Sequence, residues 1–411
     1  MSPEPTEDHL QGDVGNPRVT RRRLLGSLGA AGAVGAVGGL GASGVTGLNT
    51  QEAGASPLSS QSIISFHGEH QAGIANPPPS HAVVAAFDVT APDRAALQAL
   101  LESWSLAASR MTRGLPAGPS LNTTRIPNDP GEAMGLAPSA LTITLGVGAT
   151  LFGTPGQDRF GLASKRPKNL INLPAFKGDA LDTQWSGGDL LVQACAEDEQ
   201  VAFHAIHALA ARSTAFVKLR WVQSGFLGTS NKSSGNPPRN LLGFHDGIVT
   251  PKAADLERVV WVNSDDQEWM RNGTYLVVRR IRADLTAWDA EVLEEQQEVI
   301  GRVRSTGARL DKKSRPATAH VVQASPEKNG GAQILRRGFN YSAGVLPDGS
   351  LDAGLIFLGF GKNPEKQFVS IQQRLSERDA LNEYITHVGS SIFAILPGAE
   401  SGEYLGQSLL S

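Results

Sequence analysis

A strand–helix–strand order that occurs twice restricts the fold of this chain more than any other feature. In the first half His81–Val89 reads as a strand, and Pro92 and Asp93 then open a helix with Leu97, Leu100, Leu101 and Trp104 at helical spacing. Leu141–Val147 and Leu190–Ala196 read as strands, a helix runs from about Asp198 to Ala211, and Phe216–Val222 is strand-like again. This is the split βαβ order of a ferredoxin-like unit. The second half repeats the plan with strands Gly273–Ile281, Leu355–Phe360 and Ser391–Leu396. Its helices run from Asp284 to Ile300, where Gly301 supplies a C-terminal stop, and from Pro364 through Leu375. The expected fold class is α+β: two tandem ferredoxin-like halves with antiparallel sheets, of the dimeric α+β barrel type, divided as 81–240 and 241–411.

Residues 1–55 read as an address. Thr20-Arg21-Arg22-Arg23-Leu24-Leu25 leads into a Gly- and Ala-rich apolar run from Leu24 to Val45, weakly hydrophobic for a membrane span and interrupted by glycines. Paired arginines before such a segment fit a twin-arginine export signal, with a retained N-terminal anchor as the alternative. Ala53-Gly54-Ala55 offers a small-residue cleavage site, so the mature chain begins near Ser56, without a stable membrane span, and is periplasmic or secreted. That route carries folded proteins, often with a cofactor already loaded, so the signal asks for a cofactor. Residues 56–80, closed by Pro77-Pro78-Pro79, read as an extended lead-in. His67 and His70 lie in it and could bind a metal loosely, a mobile loop being the plainer reading.

Composition narrows the chemistry. The 411 residues carry a formal net charge of −3, which gives no reason to expect a nucleic-acid partner or an anionic membrane surface. The single cysteine, Cys195, rules out an internal disulfide and any Cys-based zinc or iron–sulfur site. It sits in an apolar strand and reads as a buried small hydrophobe. His204 and His207 share a helix face, but no third ligand stands at matching spacing, and ordinary helix positions are expected.

The stretch from Asn240 to Pro251 presents one carboxylate, Asp246, between Gly243 and Gly247 among Leu, Phe and Ile. Glycine lets a bulky group approach closely, and a carboxylate held among apolar neighbours can serve as acid or base. An Asp-Gly hairpin turn is the plain alternative. Downstream come Ile300-Gly301-Arg302, Ala319-His320-Val321 and Leu335-Arg336-Arg337-Gly338, with 74 residues from 246 to 320 and 16 from 320 to 336. If Arg336 and Arg337 lie on a strand, they point to opposite faces.

In that order and spacing the segments resemble the dye-decolourising peroxidases, a heme family marked by a Gly-x-x-Asp-Gly loop, a later His and an Arg-Arg-Gly segment. The likeness runs from about His81 to Leu405 and is nearest to the exported, deferrochelatase-like members. It implies one heme b per chain, held between the two halves, with His320 as axial ligand to the iron. It also implies Asp246 as distal acid and base, Arg336 as distal charge stabiliser, and Arg302 pairing with a heme propionate. Gly247 would lie against the cofactor, and Glu383 is the expected carboxylate behind His320. The Ile-Val-Thr-Pro after Asp246-Gly247 departs from the family's more usual Thr-x-Asn-Pro. That bears on polar contacts near the heme edge and leaves the acid–base group in place.

The resemblance implies a hydrogen-peroxide-dependent oxidoreductase that oxidises dyes, phenols or similar aromatic donors, and it is compatible with a homo-oligomer. Large donors would be oxidised at the heme edge or the surface, with Trp261, Trp269, Trp288, Tyr341 and Tyr384 as electron-relay candidates and core packing as the plain reading of each. A heme-handling protein that releases iron during iron uptake would use the same His320. A chlorite-dismutase type enzyme shares the tandem plan but has no need of the Asp246 loop.

Overall fold

The computed structural model describes residues 59–119, 127–153, 156–228 and 237–411, so the export signal expected over 1–55 lies outside the described residues. The chain divides into Met1–Gly54 and Ala55–Ser411, and the second unit holds all that follows.

The first half runs β1 (His81–Val89), α1 (Arg94–Met111), β2 (Thr142–Gly148), β3 (Leu190–Ala196), α2 (Glu199–Ala211) and β4 (Val217–Phe226). Both helices start where a side-chain oxygen takes a free N–H: Asp93 accepts from Ala96 N at 2.9 Å and Asp198 from Val201 N at 3.1 Å. The strands lie in the antiparallel order β4–β1–β3–β2. Alternate residues face opposite ways, so Val83, Ala85 and Phe87 meet Leu97, Leu101 and Trp104 of α1, while Val84 and Ala86 face the other side. Burying each such large side chain contributes about 1.5–3 kcal/mol.

The second half runs α3 (Leu256–Val259), β5 (Thr274–Ala283), α4 (Leu285–Ala290), α5 (Leu293–Ile300), α6 (His320–Gln323), β6 (Leu335–Arg336), β7 (Phe339–Val345), β8 (Leu351–Gly361), α7 (Ser370–Arg378), β9 (Ile385–Ile395) and α8 (Gln407–Leu410). Its sheet order β7–β8–β5–β9 repeats that of the first half, with β6 on the same edge of β8 as β7. The sheets join through β4–β7 and β2–β9, closing an eight-stranded antiparallel barrel. Its interior is apolar, with Trp221, Leu276, Phe339, Leu358 and Phe393 buried together. Closure removes the sheet edges that would otherwise pair with another chain.

Both seams are short. β4 meets β7 at one residue pair, Phe226 with Asn340, and β2 meets β9 over three. At the second seam Gln71 acts as a stitch: its amide donates to Leu145 O at 2.8 Å and Leu396 O at 2.7 Å and accepts from Leu145 N at 2.8 Å. The lead-in is therefore packed. Its His70 stacks on Trp261 at 3.7 Å and bonds Asn272 O through Nδ1 at 2.8 Å.

Three elements differ from the sequence expectation. The helix expected over Asp284–Ile300 is two, α4 and α5, parted by an extended Glu291. A π-helical turn, Glu365–Val369, precedes α7. β7 is announced by no apolar alternation, since its second part is exposed. His204 and His207 are tied to the loop ahead of β2, His204 Nδ1 facing Glu132 at 2.8 Å and its Nε2 facing Asp129 at 3.3 Å. No group of three potential ligands is placed for a metal ion among the described residues. Nor is any helix there long and apolar enough to cross a membrane.

Candidate active site

In the first half the outer face of the sheet is filled by α1 and α2. In the second half the matching face carries Ile281, Leu355 and Phe357, and the segments above it leave a cavity. All its walls come from residues 240–387, so the place expected between the halves lies within the second half, at its junction with the first.

The Asp246 loop enters from that junction. Asn240 Oδ1 accepts from Leu242 N and Phe244 N, both at 3.2 Å, and Asn240 N donates to Phe244 O at 2.9 Å. Gly243 makes this turn at φ 84°, a left-handed conformation that favours glycine. Leu242 and Phe244 are buried against Trp288, whose Nε1 donates to Leu242 O at 3.0 Å. Arg239 straps the loop down, donating to the carbonyls of Gly243 at 2.7 Å and Arg304 at 2.6 Å. Asp246 follows at the cavity wall, its Oδ1 accepting from Arg336 Nη1 at 3.2 Å and from Gly247 N at 2.7 Å. Gly247 sits at φ 81° with open space where a Cβ would be, which leaves room for a flat ligand.

Arg336 is aimed by β6, where it pairs with Gly359 of β8. Arg337 turns the other way and is buried, with its guanidinium on the carbonyls of Asn76 and Ile74. The two adjacent arginines thus serve opposite faces, as strand alternation predicts.

His320 is the first residue of α6 and lines the same cavity. Its Nδ1 lies 2.6 Å from Asp379 Oδ2, so the ring hydrogen sits there and Nε2 keeps its lone pair. Burial is the largest influence on the ring and disfavours its charge. The Asp379 carboxylate, by charge and hydrogen bond, outweighs it and holds the imidazole above its ordinary value. The expected partner, Glu383, is corrected here to Asp379. The bond from Ala380 N to Thr318 O at 3.0 Å brings Asp379 alongside the approach to His320, and the short turn that follows carries Glu383 to an exposed position.

Two further histidines line the cavity. His387 Nδ1 accepts from Arg279 Nε–H at 3.2 Å, and its Nε2, which carries the ring hydrogen, stands 3.3 Å from the Gln372 carboxamide. Burial, then Arg279, push it down to about 3, so it is neutral. His245 bonds Pro237 O at 2.6 Å.

The charge balance of the walls is uneven. Asp246 is paired with Arg336 and Asp379 with His320, whereas buried Arg302 has no carboxylate partner among the described residues and donates to Gly307 O at 2.8 Å. Arg309 pairs with Arg302 in a β-bridge and also lines the cavity. Burial, then Arg309, Arg336 and Arg315, push Arg302 below the usual guanidinium range. An apolar cavity with an open imidazole nitrogen and surplus guanidinium charge fits a flat apolar ligand that carries carboxylates and a metal. Heme has that chemistry. Arg309 and Asp379 are the functional candidates that sequence reasoning missed. The relay candidates Trp261, Trp269, Trp288, Tyr341 and Tyr384 are all buried.

Comparison with known proteins points the same way. Residues 71–227 match the family model "Dyp-type peroxidase, N-terminal" and residues 237–400 match "Dyp-type peroxidase, C-terminal". The chain is 36% identical over 381 residues to a deferrochelatase of Escherichia coli O157:H7, covering 86% of this chain and 89% of that one. It is 37% identical over 371 residues to the deferrochelatase of E. coli K12, covering 84% and 86%. Among solved structures, ferric DtpA from Streptomyces lividans superposes with a TM-score of 0.79 at 39% identity, covering 87% of this chain and all of that one. A DyP-type peroxidase from Cellulomonas bogoriensis gives 0.78 at 34% identity, covering 86% and 99%.

Proposed function

The chain belongs to the Dyp-type peroxidase family, and on that premise we propose that Asp246, Arg336 and His320 are the working groups of this heme peroxidase. The observation that carries the reading is their convergence on one apolar cavity. His320 would hold the iron through Nε2, with Asp379 fixing the ring and raising its basicity. Arg302, with Arg309 beside it, would hold the propionates by charge-assisted hydrogen bonds. Heme, when bound, supplies the redox centre that takes electrons from donors and passes them to peroxide.

The chain's own part in peroxide cleavage is proton handling and charge stabilisation. Asp246 takes the proton of the peroxide oxygen nearer the cofactor and returns it to the departing oxygen, which leaves as water. Arg336, held at 3.2 Å from that carboxylate, stabilises the negative charge that develops on the departing oxygen. The donors would be dyes or phenols, oxidised at the heme edge or the surface.

His320→Ala should lose heme and its Soret band while keeping its far-ultraviolet circular dichroism. Asp246→Asn and Arg336→Leu should keep the Soret band and react with peroxide more slowly, by about 10²–10³-fold for Arg336→Leu. If Asp246→Asn consumes peroxide at the wild-type rate in stopped-flow mixing, the proton transfer belongs to Arg336 and a water, and the Asp246 role is lost.

The deferrochelatase relatives favour a second reading, heme handling with release of iron. Appearance of fluorescent iron-free porphyrin from the holoprotein without peroxide would select it. The export reading has its own test: Lys at positions 21 and 22 should leave the precursor in the cytoplasm, and undiminished appearance of the mature form outside would refute the twin-arginine assignment.

A further inference from the structure

Beyond the His320–Asp379 pair lies a buried polar chain that the proposed chemistry does not use. Arg279 of β5 faces the cavity side yet is 1% exposed. Its Nη2 donates to Asp179 Oδ1, its Nη1 to Ser390 Oγ at 3.0 Å and its Nε to His387 Nδ1 at 3.2 Å. Because Arg279 can only donate, His387 Nδ1 accepts and the ring hydrogen is on Nε2, 3.3 Å from the Gln372 carboxamide of α7, which meets it by turning its Oε1 to accept. Asp179 comes from the first half, on a loop clamped along β9 by bonds from Ala180 N to His387 O at 3.0 Å and from Asp182 N to Val388 O at 2.9 Å. A register shift between Arg280 and Ile281 leaves Val388 as an extra residue in β9, beside His387.

Such a chain is a poor device for stability alone, since burying an ion pair costs about as much as it returns. Its geometry points to register. α7 starts from a π-helical turn, and its rotation about its axis is set by the side chains it buries, Phe368 in that turn and then Ile371, Gln372 and Ser376. Among these, Gln372 is the polar side chain that reaches the His387 ring. Seven residues on, about 10 Å along a helix, Asp379 ends α7 under His320.

We propose that Asp179, Arg279, His387 and Gln372 form a positioning chain that sets α7 and thereby holds the Asp379 carboxylate against His320. The chain makes the donor strength of the proximal imidazole depend on a loop of the other half. The inference rests on His320 being the axial ligand.

The test uses heme-loaded protein and resonance Raman of the ferrous iron–histidine stretch, with the ferric/ferrous potential alongside. Asp379→Asn, the direct break, should lower the stretching frequency and raise the potential. Asp179→Asn and Gln372→Leu should shift both in the same direction by less, with Asp179→Glu restoring the wild-type values. Heme loss to a scavenging apoprotein should quicken by less than the roughly 10- to 100-fold typical of losing a direct partner. If Asp179→Asn does not fold, Gln372→Leu decides alone, since it leaves the Arg279–Asp179 pair intact. Wild-type frequency and potential in the folded variants, even with a lower melting temperature, would make the chain merely structural and overturn the proposal. A stretch that Asp379→Asn leaves unmoved, or that His320→Ala retains, would instead sink the axial-ligand reading.

Discussion

His320 shows how one residue's surroundings set the conditions for its work. In the axial role proposed for His320, iron would take Nε2 only from a ring that is not doubly protonated, so protons would compete with heme for the site. Asp379 favours the protonated ring against the opposing effect of burial, which moves that competition to higher pH than for a free imidazole. The sign follows: affinity of the apoprotein for heme should fall as pH drops through the raised value, by about tenfold per pH unit once below it. Titration of heme into apoprotein from pH 8 to pH 5 (about neutral to mildly acidic, bracketing a free histidine) reads this directly, and a flat affinity would show that His320 does not hold the iron. The residues legible in the sequence were those with ordered spacing and distinct chemistry: Asp246 between glycines, a later His, then a doubled Arg. Asp379 was not legible. It lies 59 residues beyond His320, and its approach depends on where α7 ends, which no local pattern states.

Among the elements, the end of α5 matters most to the site. Gly301 closes that helix at φ 86° and lets it abut the segment carrying His320; a Cβ there would stand 2.6 Å from Val321 Cγ2 and 3.1 Å from Ala319 Cβ. Gly301→Ala should therefore destabilise the apoprotein by about 2 kcal/mol or more, from backbone strain and overlap together, and should weaken heme retention. Thermal unfolding and the Soret yield check it; unchanged values in both would show that the segment yields freely. The sequence marked this helix end correctly but ran α4 and α5 together. Trp288 is why they part. Its indole turns into the Leu242–Phe244 loop, while Gln296, Val299 and Ile300 are the buried positions of α5, and an extended Glu291 reconciles the two directions. β7 escaped for a different reason: only Phe339, Asn340 and Tyr341 of it are buried, too few to show a period.

At the scale of the molecule, two sheets of identical order share one apolar interior through two narrow seams. The tandem plan and its barrel type were legible because helix and strand periods alternate clearly; the two seams were not, because they depend on contacts between segments hundreds of residues apart. Gln71 is the sharpest instance. Gln71→Ala should cost about 3 kcal/mol, as buried carbonyls and an N–H at the β2–β9 seam lose their partner. Hydrogen exchange at Leu145 should quicken in the variant, and protection equal to wild type would show that the seam holds without its stitch. The same clasp continues at Gly68 N to Ala399 O, 3.1 Å, and Gly398 N to Glu69 O, 2.9 Å. These bonds join the first described segment to almost the last. A chain leaving the ribosome can complete its first sheet early, but it must keep residues 68–71 waiting until 396–399 have been made. Barrel closure thus waits on the segment that carries β9, and a truncation that stops before residue 385 should leave the first sheet complete and the β2–β9 seam unmade.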